Sequence, residues 1–227
     1  PLSRNNSPKQ FFPILEGKST LQLAVDRLAP LGIEKMIIST NERYVDLVHA
    51  QVPQVSAEQI YAEPVKRDQA AAVALTLVKM KKQGKNGPIA ILWTDHLMQH
   101  PDRFRDALAH AEQKIKEEPN QFVFLGEQPR FANQHLGWIA LGEKKENHEY
   151  AFDGWSYLPR REECERMFAS KHYAWNTGYF VTDLDFVLSL YEKYQKELFD
   201  IVSRIAADET LLSTLYPTVP ALSFDKA

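Results

Sequence analysis

Pro88-Ile89-Ala90-Ile91-Leu92-Trp93-Thr94-Asp95-His96 is the most apolar strand-like run of this 227-residue chain, and it ends abruptly in an acid and a histidine. A short, continuously apolar run is what a parallel strand covered on both faces requires, because neither side of the pleat meets water. Its neighbours agree. Upstream, Asp68 can cap an alanine-rich helix that reaches about Gln83, and downstream Pro101 and Asp102 open a helix over 101–118. Further back the order repeats, with a short strand over 59–62, a helical stretch over 42–51 and a strand over 35–40 around Met36-Ile37-Ile38. Before these lies an amphipathic helix with Ser19 as N-cap, Leu21, Ala24, Val25 and Leu28 on one face, and Gly32 after its last turn. Strands and helices alternating through short connections predict an α/β fold with a mostly parallel sheet and right-handed crossovers. From Gln121 onward strands cluster over 121–127, 137–143 and 148–155, followed by a helix near 160–169, a strand over 179–182 and helices to about 215. That half reads as an extension of the same sheet that shapes a pocket. With no Gly/Ser/Pro-rich linker, repeat or low-complexity tract, the expectation is one domain over 1–227.

Composition excludes several functions. Hydrophobic residues at 44% and charged residues at 25% are ordinary for a globular chain and argue against disorder. Lys and Arg total 27 against 30 Asp and Glu, so the basic excess that drives binding to a nucleic-acid polymer is missing. Apolar runs such as Ile89 to Trp93 fall far short of the roughly 20 residues of a spanning helix, and no membrane partner is expected. The single cysteine, Cys164, can form neither an intrachain disulfide nor a multi-thiolate zinc site, which suits a reducing compartment and a cytoplasmic location. The chain opens on Pro1-Leu2-Ser3-Arg4 without methionine and stops at Ala227 without a polar tail, so further residues are expected beyond both ends.

In open α/β sheets ligands bind beyond the carboxyl ends of the strands, and three places there carry chemistry. Asp95 is set either to ligate a hard cation such as Mg²⁺ or simply to cap the next turn. Glu63-Pro64-Val65-Lys66-Arg67-Asp68 places a carboxylate before a basic turn that opens a helix; a solvated charge cluster with an N-cap has the same pattern. Tyr173-Ala174-Trp175-Asn176-Thr177-Gly178 puts an amide and a hydroxyl between aromatics, which suits sugar hydroxyls and also describes an ordinary turn. Arg4 and Lys9, with Pro8 and Pro13, form a stiff basic segment suited to phosphate, and His135 is a base, a ligand or a plain loop histidine. No G-x-S-x-G elbow occurs and Cys164 lacks an obvious activating partner, so hydrolase and thiol chemistry have no support.

Taken in order, these segments resemble the sugar-1-phosphate nucleotidylyltransferases, most closely the mannose-1-phosphate guanylyltransferases or GDP-mannose pyrophosphorylases. Pro1-Leu2-Ser3-Arg4 with Ser7-Pro8-Lys9-Gln10-Phe11 and Pro13 looks like the second half of the family signature, whose first half is a glycine-rich loop with an arginine. Lys18-Ser19-Thr20-Leu21-Gln22 is similar to the next helix start. Glu63-Pro64 with Arg67-Asp68-Gln69-Ala70-Ala71 looks like the nucleotide-reading turn, with Lys66, Asp68 and Gln69 where the family has Gly, Asn and Thr. Thr94-Asp95-His96 resembles the metal-binding strand end, His135-Leu136-Gly137-Trp138-Ile139 the sugar-pocket segment, and Trp175-Asn176-Thr177-Gly178 the family's Trp-Asn-Ser-Gly turn. Ser223-Phe224-Asp225 looks like the late segment that supplies a second metal-binding aspartate.

The resemblance implies a Rossmann-like, nucleotide-diphospho-sugar transferase (GT-A-like) fold, and Mg²⁺-dependent transfer of GMP from GTP to mannose 1-phosphate. It implies catalytic roles for Arg4, Lys9 and Asp95, and nucleotide binding by Glu63, Pro64, Arg67, Asp68 and Asp95. It assigns the sugar to Gly137, Tyr157, Asn176 and Thr177, and the metal to Asp95 and Asp225; the partners are GTP and a sugar 1-phosphate, with a homodimer left open. Glu63 is chemically suited to guanine, because a carboxylate accepts from both the ring N1–H and the exocyclic amine. One departure stands out. Where the family carries Phe-Val-Glu-Lys-Pro, this chain reads Trp155-Ser156-Tyr157-Leu158-Pro159, and leucine cannot neutralise a phosphate. Lys9, Arg160 and Arg161 are the substitute cations, Lys9 foremost, and the rival reading is a weak or inactive relative that binds a nucleotide sugar as a sensor or regulatory subunit. A transferase for another sugar or base is the third.

Overall fold

The computed structural model describes residues 8–146 and 148–227, Lys226 by its backbone alone. Arg4 and the rest of the segment before Pro8 lie outside the described residues. In chain order the elements are β1 (Pro13–Leu15), β2 (Lys18–Ser19), α1 (Thr20–Leu28), β3 (Ile38–Asn41), α2 (Val45–Gln51), β4 (Ile60–Glu63), α3 (Asp68–Lys82), β5 (Pro88–Ile91) and α4 (Pro101–Glu117). They continue with β6 (Phe122–Glu127), β7 (Trp138–Lys144), β8 (Tyr150–Ser156), α5 (Arg161–Ser170), β9 (Tyr173–Asp183), α6 (Leu184–Tyr194), α7 (Lys196–Ala207) and α8 (Leu212–Leu215).

Contacts group the chain into two compact units, one that runs to Ile89 and resumes over Thr94–Gln121 and Thr182–Ala227, and one made of Ala90–Trp93 with Phe122–Val181. The division falls inside strands rather than at a linker.

The first unit follows the alternation read from the sequence. Ser19 caps α1 through a complete capping box, its hydroxyl accepting from Gln22 N–H at 3.2 Å while Gln22 Oε1 accepts from Ser19 N–H at 3.0 Å. The apolar face of α1 then packs Leu21 and Val25 against Phe11, Val48, Val52 and Val55. β3 and β4 pair in parallel from Ile38 opposite Ile60 to Asn41 opposite Glu63, as the crossover pattern requires. β3 starts three residues later than expected, because Ile33–Lys35 closes a 3-10 turn whose Ile33 and Met36 carbonyls accept from Gln59 Nε2 at 2.6 and 2.8 Å. Helix α3 packs on α6 and α7 and carries fully buried Ala70, Ala71 and Ala74; residues this small let backbones approach closely.

The second unit is built on antiparallel pairing. The five-stranded sheet runs β5-β9-β7-β8 with β6 also on β9. β7 pairs antiparallel with β8, Ile139 opposite Trp155, and with β9, Trp138 opposite Trp175. β7 thus runs antiparallel to both of its neighbours, within the mostly parallel or mixed arrangement expected, and β9 extends back to Tyr173 through a stretch that reads as a turn. Trp138, Cys164, Met167 and Trp175 form its core between sheet and α5. Cys164 is buried, its thiol pushed up by desolvation, so it stays a packing residue. No helix among the described residues is long and apolar enough to cross a membrane.

Candidate active site

The Thr94-Asp95-His96 turn follows β5. Lys9, 86 residues earlier, reaches it and donates from Nζ to Asp95 Oδ2 at 3.1 Å. The two side chains are 56% and 46% exposed, so the pair contributes less than about 1 kcal/mol and exchanges readily. A lysine held this loosely can leave a carboxylate for a phosphate. The turn itself is held by α1: Arg27, only 6% exposed, donates from Nη1 to the His96 carbonyl at 2.7 Å, and its guanidinium lies 5.4 Å from the Phe104 ring centroid. Arg105 in turn donates to the Arg27 carbonyl at 3.0 Å. Burial pushes the His96 imidazole below its ordinary range, so it is neutral at pH 7.

Glu63, Pro64, Arg67 and Asp68 share the turn between β4 and α3. Glu63 is half-buried and Oε2 accepts from the Tyr216 hydroxyl at 2.6 Å, while the Arg67 backbone N–H, a second donor, favours the charged carboxylate. Desolvation raises the Glu63 carboxyl, and these two donors and Lys66 pull it back down. Asp68 is the first residue of α3 rather than its N-cap, which is Arg67 and carries no side-chain cap bond; at φ 65° the Asp68 Oδ1 accepts from the neighbouring Gln69 N–H at 2.9 Å. Ala70 is tied at both backbone atoms, its N–H to the Leu222 carbonyl at 3.0 Å and its carbonyl to the Tyr191 hydroxyl at 2.9 Å. Among the described residues, the half-buried Arg67 keeps a buried Nε with no hydrogen-bond partner.

In the second unit, Gly137, Tyr157 and Asn176 come together. Asn176 N–H donates to the Gly137 carbonyl at 2.8 Å, and a Cβ placed on Gly137 would lie 3.4 Å from Asn176 Cβ and 3.9 Å from Tyr157 Cδ2. Asn176 Oδ1 accepts from Gly178 N–H at 2.8 Å, which fixes the amide and leaves Nδ2 to donate elsewhere. Gly178 needs to be glycine, with φ 72° and its missing Cβ only 2.7 Å from Trp93 Nε1. The Thr177 hydroxyl is committed to the backbone, donating to the Leu125 carbonyl at 2.5 Å and accepting from Tyr179 N–H at 3.2 Å. Tyr157 and Leu158 are exposed, Leu158 at φ 48°. His135 N–H donates to Asn133 Oδ1 at 2.9 Å in a local turn.

Asp225 lies exposed in a 3-10 turn over Phe224–Lys226, its carboxyl raised by partial desolvation. Among the described residues no hydrogen bond or ion pair joins it to Asp95, and no group of three or more His, Cys, Asp or Glu forms a ready-made metal cage. Mg²⁺ does not need one, since it binds through one or two carboxylates and fills its shell with water and phosphate oxygens. The half-exposed carboxylate of Asp95 fits that chemistry.

Two residues escaped sequence reasoning. Arg27 had a signal, a cation three residues after Ala24 in an otherwise apolar stripe. Tyr216 had none, since nothing in Leu215-Tyr216-Pro217 marks a partner 153 residues away.

Residues 1–217 match the family model described as nucleotidyl transferase. The chain is 34% identical over 186 residues to mannose-1-phosphate guanylyltransferase RfbM of Salmonella typhimurium, covering 80% of this chain and 38% of that protein. It is 30% identical over 205 residues to mannose-1-phosphate guanylyltransferase of Klebsiella pneumoniae, covering 88% of this chain and 43% of that one. The chain thus spans about two fifths of the length of these relatives. A crystal structure from Thermus thermophilus, named mannose-1-phosphate geranyltransferase, superposes with a TM-score of 0.86 at 28% identity, over 100% of this chain and 65% of the other.

Proposed function

Because the chain belongs to the nucleotidyl transferase family, we propose that it acts as a mannose-1-phosphate guanylyltransferase, transferring GMP from GTP to mannose 1-phosphate with release of pyrophosphate. The observation that carries this reading is the meeting of Lys9 and Asp95, far apart in sequence, at the turn after β5. A cation and an exchangeable carboxylate there suit a triphosphate, and the relatives' names point to guanine and mannose 1-phosphate.

In the proposed reaction an oxygen of mannose 1-phosphate attacks the α-phosphorus of GTP in line; a new P–O bond forms as the bond to the β-phosphate bridging oxygen breaks, and pyrophosphate leaves. Most of the barrier reduction comes from positioning and charge neutralisation. Lys9 moves from Asp95 to a phosphate oxygen, and Arg27 keeps the Asp95 turn in place through the His96 carbonyl. Asp95, with Asp225 as the second donor, would hold Mg²⁺, which would supply further charge neutralisation on the phosphates. Arg4 completes the basic segment. Glu63 accepts from guanine within the turn that Pro64, Arg67 and Asp68 shape, and Asn176 Nδ2 and the Tyr157 hydroxyl bind sugar hydroxyls beside Gly137. Thr177 contributes by fixing its strand, because its hydroxyl is spent on Leu125. With Leu158 uncharged, Lys9, Arg160 and Arg161, the last in a surface pair with Glu165 as exchangeable as that of Lys9 with Asp95, are the cations left to neutralise the sugar phosphate. The buried Cys164 suits a reducing cytoplasm.

Leu158 also favours a second reading, a relative that binds the nucleotide sugar without forming it. Pyrophosphate release by the full-length protein across a matrix of nucleoside triphosphates and sugar phosphates separates the two. Release with GTP and mannose 1-phosphate together supports the transferase, and nucleotide-sugar binding without release supports the sensor.

A further inference from the structure

We propose that Tyr216 is the positioning residue that sets base selectivity, by fixing the Glu63 carboxylate in the orientation that pairs with guanine and rejects adenine. This rests on the guanylyltransferase reading and extends it to a residue outside the turn. The geometry is specific. Tyr216 is 0% exposed, yet its hydroxyl is spent on one acceptor, Glu63 Oε2, at 2.6 Å. That hydrogen bond joins Glu63 to a residue 153 positions later in the chain, so the carboxylate is anchored from outside its own turn. The turn's far end is fastened from the C-terminal part of the chain too, Tyr191 of α6 and Leu222 taking both backbone atoms of Ala70.

A glutamate on a surface turn rotates freely about its side-chain bonds and offers its lone pairs in all directions. One that accepts from a buried phenol has one oxygen held in place, and its remaining lone pairs face a restricted direction. Guanine presents two adjacent donors to such a group, N1–H and the exocyclic amine. Adenine presents at the matching edge a ring nitrogen that only accepts, and two acceptors repel. Discrimination by an unpaired polar group is large only where that group is held still, so the fixing contact carries the selectivity. The other titratable groups that bear on the pair are Lys66, Arg67 and Asp68 of the turn and Tyr191 of α6. None of them supplies the Oε2 hydrogen bond.

The test is calorimetric binding of GTP and ATP, each with Mg²⁺, to the full-length wild-type protein and to Tyr216→Phe, Glu63→Gln and the double variant. Wild type prefers GTP, Tyr216→Phe lowers the GTP-to-ATP ratio roughly tenfold with ATP affinity unchanged, and the double variant matches Glu63→Gln alone. A merely structural tyrosine weakens both nucleotides together, or adds its effect to that of Glu63→Gln; either result overturns the proposal. A wild type that binds both nucleotides equally overturns the guanine reading, and the role of Tyr216 with it, whereas a GTP preference untouched by Tyr216→Phe overturns the role of Tyr216 alone. Should Tyr216→Phe fail to fold, 3-fluorotyrosine at position 216 keeps the ring and alters the donor strength of its hydroxyl: a changed GTP-to-ATP ratio supports the proposal, and an unchanged ratio refutes it.

Discussion

Adding one methyl group at Gly137 separates a sugar pocket from an ordinary turn. In Gly137→Ala the new Cβ lies 3.4 Å from Asn176 Cβ, 3.7 Å from Asn176 Nδ2 and 3.9 Å from Tyr157 Cδ2, all ordinary van der Waals distances. The Gly137 φ is not positive, so alanine adopts the backbone without strain. Stability should stay within about 1 kcal/mol of wild type. The methyl nevertheless sits beside the one amide nitrogen of Asn176 left to donate, since Oδ1 is held by Gly178 N–H. Blocking a hydrogen bond there costs about 1–3 kcal/mol of sugar binding, a roughly 5- to 150-fold rise in KM for mannose 1-phosphate with KM for GTP unchanged. Gly178→Ala makes the contrast: its Cβ would stand 2.7 Å from Trp93 Nε1 at φ 72°, so it loses at least about 2 kcal/mol of stability before any ligand is added. Urea denaturation and steady-state pyrophosphate release measure the two quantities. A Gly137→Ala protein with wild-type stability and wild-type KM for the sugar phosphate refutes the assignment of Gly137, Tyr157 and Asn176 to the sugar.

Asp95→Asn should lower turnover at least about 10²-fold and abolish Mg²⁺ dependence while folding normally, because its only described hydrogen-bond partner is the solvated Lys9; survival of activity and metal dependence together would make Asp95 a turn residue. Leu158→Lys places its charge at a position 53% exposed, so stability should hold, while calorimetry should register a gain of about 1.5–3 kcal/mol for mannose 1-phosphate and none for mannose. Equal affinity for both sugars before and after the change would favour the sensor. Ser19→Ala removes the cap of α1 and the 2.6 Å bond from the Ser19 hydroxyl to Gln51 Oε1, and should cost about 1–2 kcal/mol in urea denaturation without altering nucleotide selectivity. Because burial raises the Glu63 carboxyl, GTP affinity should fall on acidification at a pH above the ordinary glutamate range, as protonation removes the acceptor; a titration flat down to the ordinary range would place Glu63 away from the base.

Local chemistry made much of the fold legible. Ser19 and Gln22 are three residues apart and cap one another, so α1 could be read from residues in contact along the chain. The alternation behind β3, α2, β4 and α3 works likewise, since each period reports which face is buried. What a period does not report is the partner. Tyr173 to Gly178 carries the residues of a turn, yet β9 runs through them, because Trp175 pairs opposite Trp138 and Gly178 absorbs the positive φ. The candidate site divides in the same way. Glu63 to Asp68 and Asn176 with Thr177 are contiguous motifs and were readable, whereas Lys9 with Asp95 and Tyr216 with Glu63 are contacts over 86 and 153 residues that only tertiary packing creates.

The central claim is that GMP is transferred, and ³¹P NMR of the full-length protein with GTP, Mg²⁺ and mannose 1-phosphate observes the transfer itself. The account predicts that the mannose 1-phosphate resonance decays as the paired resonances of a sugar nucleoside diphosphate and the signal of pyrophosphate grow in together. A spectrum that stays unchanged while GDP-mannose binds the same protein tightly would contradict it and leave a sensor in place of an enzyme.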